Sequence, residues 1–205
     1  MANVKVTPST VMVEMGAEKS WYFPIESEPD GAKPVYGAKV DMGHFVKAAL
    51  TLNIASASIP GDNISQVEVE EFVSGQLDTE TTMSSLEVNA KIYGHTYSDT
   101  EGEISAAGDS APNGGYACIQ HILKKNKSKV YRATCLRKVT AMAGSERQNA
   151  NTKTPGTLTF TNNAISFKVL PDNTGVWRNR EDFNTMDEAI AFIDSIFSAA
   201  AAATT

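Results

Sequence analysis

The chain has 205 residues, of which 41% are hydrophobic and 20% are charged, which is enough apolar material for the core of one β-rich domain. Its formal net charge of -6 argues against tight binding to a phosphate backbone, which requires clustered Lys and Arg. The sequence contains no apolar stretch as long as a signal peptide core or a membrane-spanning helix, so we expect the protein to be made and folded in a cytoplasm.

The first segments predict an arm, two short strands and a turn. Residues 1–20 are expected to form a loose N-terminal arm. Residues 21–25 are rich in aromatic side chains and predict a short strand, and Pro29 and Gly31 indicate a turn after it. A second short strand is expected over 35–40.

Alternating apolar and polar residues over 46–83 predict a long hairpin followed by a return strand. A turn is expected over 60–63, where Pro, Gly, Asp and Asn follow one another, and a second turn at Ser74 and Gly75 leads into a strand over 76–83. The alternation gives the hairpin one apolar and one polar face, so we expect it to pack on a partner sheet and on neighbouring subunits. The alternating apolar residues are Ala48, Leu50, Leu52, Ile54, Val67 and Val69.

Residues 84–94 are compatible with a helix or a strand. Alternating Leu86 and Val88 favour a strand, whereas Ser84 and Glu87 have the spacing of a capping box and Gly94 is placed as a helix C-cap. We predict the helix. The following residues, 95–115, are polar and rich in Ser, Gly and Asp, and a loop of that length is usually functional or disordered.

The second half of the chain predicts two hairpins and a helix. The hairpin strands are expected over 116–123 and 130–139, around a lysine-rich turn at 124–129, and over 157–161 and 165–170, with a loop at 144–155 between the hairpins. Thr185 and Glu188 form a capping box, and an apolar face follows, which predicts a helix over 185–198. That face consists of Met186, Ile190, Ile193 and Phe197. We expect one domain over 1–205, with 171–205 as a C-terminal extension.

The two cysteines, Cys118 and Cys135, fall on the two strands of one predicted hairpin. We predict free, buried thiols in a reducing compartment, with cross-strand neighbours as the alternative.

No residue pattern in the sequence indicates an active site, a metal site or a cofactor site, and we predict that the protein is not an enzyme. The histidines, His44, His95 and His121, lack partners at metal-ligand spacing, and a structural role is expected for His121. Glutamates at 68, 70 and 71 could bind a cation, but a solvated acidic strand face is the simpler interpretation. Residues 21–23 could stack on a sugar, but we expect them in a core or an interface.

The order and spacing of the segments over residues 37–170 resemble the major tail proteins of long-tailed phages of Gram-positive hosts. The resemblance rests on the hairpin turned at 60–63 and on a series of later segments that keep the same order. These segments are Gly75-Gln76-Leu77, Ile92-Tyr93-Gly94, a polar loop with Gly102, the strand at 115–119, the strand at 130–135 and the segment at 155–160.

The resemblance implies a mainly β fold, a tail-tube-type β-sandwich of two packed sheets with a long hairpin, a flanking short helix and a C-terminal helix. Such proteins form hexameric rings that share an inner β-barrel and stack into a tube. The implied partners are further copies of the chain, the tape measure protein and other tail proteins, and DNA passes through the lumen without specific binding. The implied location is the virion tail, assembled in the host cytoplasm, with no membrane contact and no catalytic residues.

Within such a ring we expect Val67 and Val69 to face the sandwich core. Thr51, Asn53, Glu68 and Glu70 would then share the opposite, lumen-facing side, where carboxylates repel phosphate. One alternative is a tube protein of a contractile tail or injection system, which shares the fold. A second alternative is a monomeric carbohydrate-binding module or adhesin, and a hydrolase is a third.

Overall fold

The computed structural model describes residues 12–61, 64–82, 85–124, 128–145 and 162–198. The fold is mainly β, with a long hairpin, a short helix and a C-terminal helix, as the sequence predicts. The strands are β1 Met12–Ser27, β2 Val35–Tyr36, β3 Val40–Asp41, β4 Phe45–Gly61, β5 Ile64–Thr81, β6 Thr96–Ser98, β7 Gly102–Ile104, β8 Asn113–Lys124, β9 Lys129–Ala141, β10 Asn163–Leu170 and β11 Arg178–Phe183. The helices are α1 Leu86–Tyr93 and α2 Met186–Phe197, and Ala143–Ser145 form a 3-10 turn.

Nine of these strands form one antiparallel sheet in the order β2-β1-β8-β9-β10-β5-β4, with β3 beside β1 and β11 beside β9. The remaining strands, β6 and β7, pair with each other. The large sheet folds over, so that the segment leading into β4 lies beside β1. The backbone of Ser20 in β1 exchanges hydrogen bonds with Met42 and Gly43, immediately before β4.

The fold-over creates two packed layers. Strands β1, β8, β9 and β11 form the first layer, and β10, β5 and β4 form the second. Buried side chains from both layers make one core, in which the rings of Tyr116 and Phe167 lie 5.9 Å apart. The Tyr116 hydroxyl also hydrogen-bonds Thr79 Oγ1 of the second layer at 3.2 Å. Helix α1 adds Ile92 and Tyr93 to this core.

Helix α2 covers the other face of the first layer and forms a second core. The Phe197 ring stacks on Phe23 with 4.1 Å between centroids. It also lies so close to Gly115 that a Cβ added there would come 2.2 Å from the Phe197 ring. Gly115 therefore allows the helix to approach β8, because a side chain at that position would push it away.

Both predicted helices are present, and the N-cap of α1 lies one residue later than predicted. In α2, Glu188 N donates to Thr185 Oγ1 and the Glu188 carboxylate accepts from Thr185 N, which is the predicted capping box. The predicted apolar face packs on the first layer. In α1 the N-cap is Ser85, without a side-chain capping bond, and Gly94 ends the helix at φ 78°. Ser84, the predicted N-cap, lies outside the described residues.

Several expectations about strands were wrong, and two of them concern the N-terminal part of the chain. Residues 12–20 are not a loose arm but the first part of β1, paired with β8. Two irregularities in that pairing, at Glu14/Gly16 and Ala17/Lys19, break the period-2 pattern that would have marked the strand. Residues 1–11 lie outside the description. The expected strand over 35–40 is two short strands, β2 and β3.

The other corrections concern Gly75 and the polar segment after α1. Gly75 lies inside β5 rather than at a turn, and a Cβ there would come 3.0 Å from the Thr51 carbonyl oxygen. The segment over 95–115 contains the β6–β7 hairpin, in which Glu103 Oε1 lies 2.7 Å from Nδ1 of His95, just after the end of α1. Strand β11 was not predicted at all. The strand predicted over 157–161 and most of the predicted 144–155 loop lie outside the described residues.

The two cysteines are free and buried, as predicted. They are not cross-strand partners, because Cys135 pairs with Ala117 and Cys118 pairs with Thr134. Cys118 belongs to the core between the layers and Cys135 to the core under α2. Burial raises the pKa of Cys118 to about 12, and burial also raises the pKa of Cys135.

We expect Ile193→Asp to lower the free energy of unfolding by about 3 kcal/mol or more, because it places an unpaired charge in the core under α2. The matched control is Ala191→Asp, which adds the same charge to the same helix at an exposed position. Urea unfolding compares them. Equal stability of the two variants would contradict the packing of α2.

Neither native thiol should react with a soluble aromatic disulfide at pH 8, because both are buried and their raised pKa values keep them protonated. After unfolding without reductant, titration should find 2 thiols per chain. Rapid reaction of the folded protein, or loss of thiols to a disulfide, would contradict this environment.

Candidate assembly surface

The β4–β5 hairpin carries the residues that the sequence analysis predicts to face a lumen. Its strands pair from Phe45 and Thr81 at the base to Gly61 and Ile64 near the tip. At the base, β10 extends the same surface through its pairing with β5. The register places a set of polar and small residues on the side of these three strands that faces away from the core, and we call this set the polar face. It comprises Lys47, Ala49, Thr51, Asn53, Ser74, Gln76, Asp78, Glu80, Ala164, Ser166 and Lys168.

Thr51 and Asn53 share the polar face, as predicted, and both are exposed. Asn53 Nδ2 donates to Ser74 Oγ at 3.1 Å across the strand pair. Leu50 lies on the other side, where it packs against the core between the layers. The expectation that these two polar residues and Leu50 point in opposite directions is therefore confirmed.

The expectation that Glu70 shares this face is wrong. Asn53 pairs with Ser74 but Ile54 pairs with Phe72, so Val73 is an extra residue in β5. Such a bulge exchanges the two faces of the strand beyond it. Glu70 consequently pairs with Ser56 on the side of Ile54, opposite Thr51 and Asn53. The backbone of Glu68 pairs with Ser58, but its side chain lies outside the description.

The same bulge corrects the expected position of Val69. We expected this residue in the sandwich core, but it is 55% exposed and pairs with Ala57. The acidic residues that do lie on the polar face are Asp78 and Glu80, which the sequence analysis missed. The predicted strand over 76–83 contains their alternation with Leu77 and Thr79, but the predicted turn at Gly75 separates that strand from the hairpin to which it belongs.

At its base the polar face is balanced in charge, whereas beyond the bulge the same side of the hairpin carries the exposed Glu71, which pairs with Ala55. Lys47 and Lys168 accompany Asp78 and Glu80. Asp78 accepts hydrogen bonds from Gln76 Nε2 at 3.0 Å and from Ser166 Oγ at 2.6 Å. The base of the face is therefore an exposed, hydrogen-bonded surface whose two lysines and two carboxylates give it no net formal charge.

Beyond the polar face, the hairpin exposes apolar side chains on both strands. Leu52 is 38% exposed, Ile54 51%, Val69 55% and Val73 53%. In addition, β4 is the last strand of the sheet, so one of its edges has no strand partner among the residues that the structure describes. A long edge strand with apolar neighbours is a template for pairing with another chain.

The aromatic residues considered for sugar stacking are buried. Trp21 is 5% exposed, Tyr22 0% and Phe23 3%, and they contribute to the two cores. They therefore offer no platform for a ligand.

A Ser-His-Glu cluster lies beside α1 but lacks the geometry of a proton relay. Ser105 Oγ lies 3.1 Å and Glu103 Oε1 2.7 Å from the same ring nitrogen, His95 Nδ1. A relay needs the nucleophile and the carboxylate on different ring nitrogens. His121 has the expected structural role, since its Nδ1 lies 2.7 Å from Glu18 Oε1 and its ring packs over Gly16.

The described ranges of the chain contain no group of three or more His, Cys, Asp and Glu side chains arranged to hold a metal ion, the described glutamates of β5 included. Neither helix found there is long and apolar enough to cross a membrane.

Comparison with known proteins leaves the family open. No protein-family model matches the chain, and no curated protein matches its sequence.

Proposed function

We propose that this protein is a structural subunit that polymerises as stacked hexameric rings and forms a phage tail tube. The observation that carries the proposal is the β4–β5 hairpin, which combines a polar face, exposed apolar side chains and an edge without a strand partner in the described part of the chain. Further copies of the chain are the main partners. The tape measure protein occupies the lumen during assembly, other tail proteins close the tube, and the genome later passes through it.

The edge of β4 supports ring formation. Antiparallel pairing of this edge with a strand of the next subunit would satisfy its free backbone groups, and closure of the ring would leave no edge exposed. The 17 residues of β4 give a long line of backbone groups for such pairing. Burial of Ile54, Val69 and Val73 would add an apolar contribution.

The polar face is the proposed wall of the lumen. It lies on the second layer, and α2 covers the far side of the first layer, so the two surfaces point away from each other. Thr51 and Asn53 keep their proposed role at this wall, and Asp78 and Glu80 replace Glu70. Balanced charge suits a channel that must neither bind nor strongly repel DNA.

The tube of a contractile tail or injection system is the closest alternative, because it would use the same hairpin and the same rings. A surface that binds a sheath would distinguish it. The carbohydrate-binding alternative has lost support, since residues 21–23 are buried.

Purified protein should form rings or tubes in negative-stain images and sediment as hexamers or larger species at micromolar concentration. Ile54→Lys with Val69→Lys should prevent assembly and leave the melting temperature nearly unchanged, because both side chains are exposed in the single chain. The control is Ile104→Lys, at a residue 43% exposed on β7. A wild-type chain that stays monomeric when concentrated would contradict the proposed function.

Thiol labelling of assembled tubes tests the wall of the lumen. The thiol introduced by Thr51→Cys should react with a small maleimide, which diffuses through the lumen, and should be protected from a maleimide on a bulky polymer. The thiol introduced by Asp187→Cys, at an exposed position of α2, should react with both reagents. The buried native cysteines give little background. Equal reaction of the Thr51→Cys variant with both reagents would place this residue on the outside of the tube.

A further inference from the structure

Two arginines lie at a cavity between the layers without a carboxylate partner. The cavity has a volume of about 290 Å³ and is bordered by strands of both layers. Arg178 and Arg180 of β11 lie on one side of it, and Leu50 and Leu52 of β4 lie on the other. Neither arginine makes an ion pair with any of the residues that the structure describes.

The surroundings hold the Arg178 cation in place. Its guanidinium lies 4.4 Å from the centre of the Trp177 ring, and Trp177 stacks on Phe72 of the hairpin. Burial and the nearby Arg180 lower the pKa of Arg178 from its ordinary value. Glu14, the acidic residue of the cavity lining, is bonded to Arg132 at 3.1 Å. The cavity therefore combines apolar residues with an excess of positive charge.

The composition of the β4–β5 hairpin complements that of the cavity. Between residues 48 and 81 the sequence contains no Lys, Arg or His, but six acidic residues: Asp62, Glu68, Glu70, Glu71, Asp78 and Glu80. Glu70 is exposed and lies on the same side of the hairpin as Ile54, which is 51% exposed. It makes no ion pair among the described residues. An apolar side chain and a carboxylate are thus presented together, and the cavity presents apolar side chains and guanidinium groups together.

We propose that this cavity receives the hairpin of a second copy of the chain, with Ile54 against Leu50 and Leu52 and Glu70 against Arg178 and Arg180. The inference rests on the proposed function and names the contact by which neighbouring subunits recognise each other. The contact is heterologous, because the hairpin of one copy meets the cavity of the next, and such contacts build closed rings or stacks. The charge pair selects the correct partner and register.

Charge reversal tests the contact. Glu70→Lys and Arg180→Glu should each raise the protein concentration needed for assembly about tenfold or more, because like charges then face each other. Both residues are exposed, so urea unfolding of each variant should match the wild type. Arg178 stays unchanged because its contact with Trp177 supports the fold. The control variants Lys129→Glu and Glu101→Lys make the same charge changes at exposed positions elsewhere and should assemble as the wild type does.

Mixing the two variants is the decisive measurement. In an assembly where they alternate, every contact is again between opposite charges. The lysine introduced in one variant would meet the glutamate introduced in the other, and the unchanged Glu70 would meet the unchanged Arg180. An equimolar mixture should therefore assemble at nearly the wild-type concentration, although neither variant does so alone. Rising salt should weaken wild-type assembly and reduce the difference between variants.

Several results would overturn the contact. Normal assembly of either variant alone would do so, and so would a mixture that fails to assemble. A chain that carries both Glu70→Lys and Arg180→Glu is a further test. If it assembles while the mixture of the two single variants does not, the charge pair lies within a single subunit. In all three cases the wild type still forms tubes and the proposed function stands. A wild type that does not assemble contradicts both proposals together.

Discussion

The central constraint in this structure is that β8 is buried on both faces. Tyr116 and Cys118 point into the core between the layers, and Ala117 and Ile119 point into the core under α2. A strand covered on both sides needs a helix on one face and a second sheet layer on the other, so the arrangement of the remaining elements follows from it. Gly115 contributes to the burial of β8, because the absence of a side chain there allows Phe197 of α2 to reach the strand.

This arrangement makes the two outer surfaces of the molecule unlike each other. Helix α2 covers the outer side of the first layer, and its apolar residues pack against that layer. The second layer has no such cover among the described elements, and its outer side carries the polar face instead. The molecule therefore has one polar outer surface and a hairpin that extends beyond the core. The proposed assembly rests on these two features.

The bulge at Val73 divides the hairpin into a base and a distal part, in which the apolar side chains of β5 lie on opposite sides of the strand. In the base, β5 directs Leu77 to the core and Asp78 outward. Beyond the bulge the faces exchange, so Phe72 packs on Trp177 while Val69 and Val73 become exposed. These apolar side chains are about half exposed in a single chain, so they retain apolar area for contact with another surface. Bulges are common where a strand must redirect its side chains.

The sequence by itself determined the elements whose signals are local. The capping box and apolar face fixed α2, Gly94 fixed the end of α1, and period-2 alternation identified the long hairpin. The lysine-rich segment at 124–129 separated the two predicted strands that carry Cys118 and Cys135. Only the tertiary structure decided that residues 12–20 pair with β8, that the charged segment of β11 is a strand, and which face carries Glu70. In each of these cases the deciding interaction is a backbone pairing with a distant segment, or a bulge that shifts the alternation by one residue. A local sequence pattern predicts neither the distant pairing nor the bulge, because the register of a strand is set by its partner.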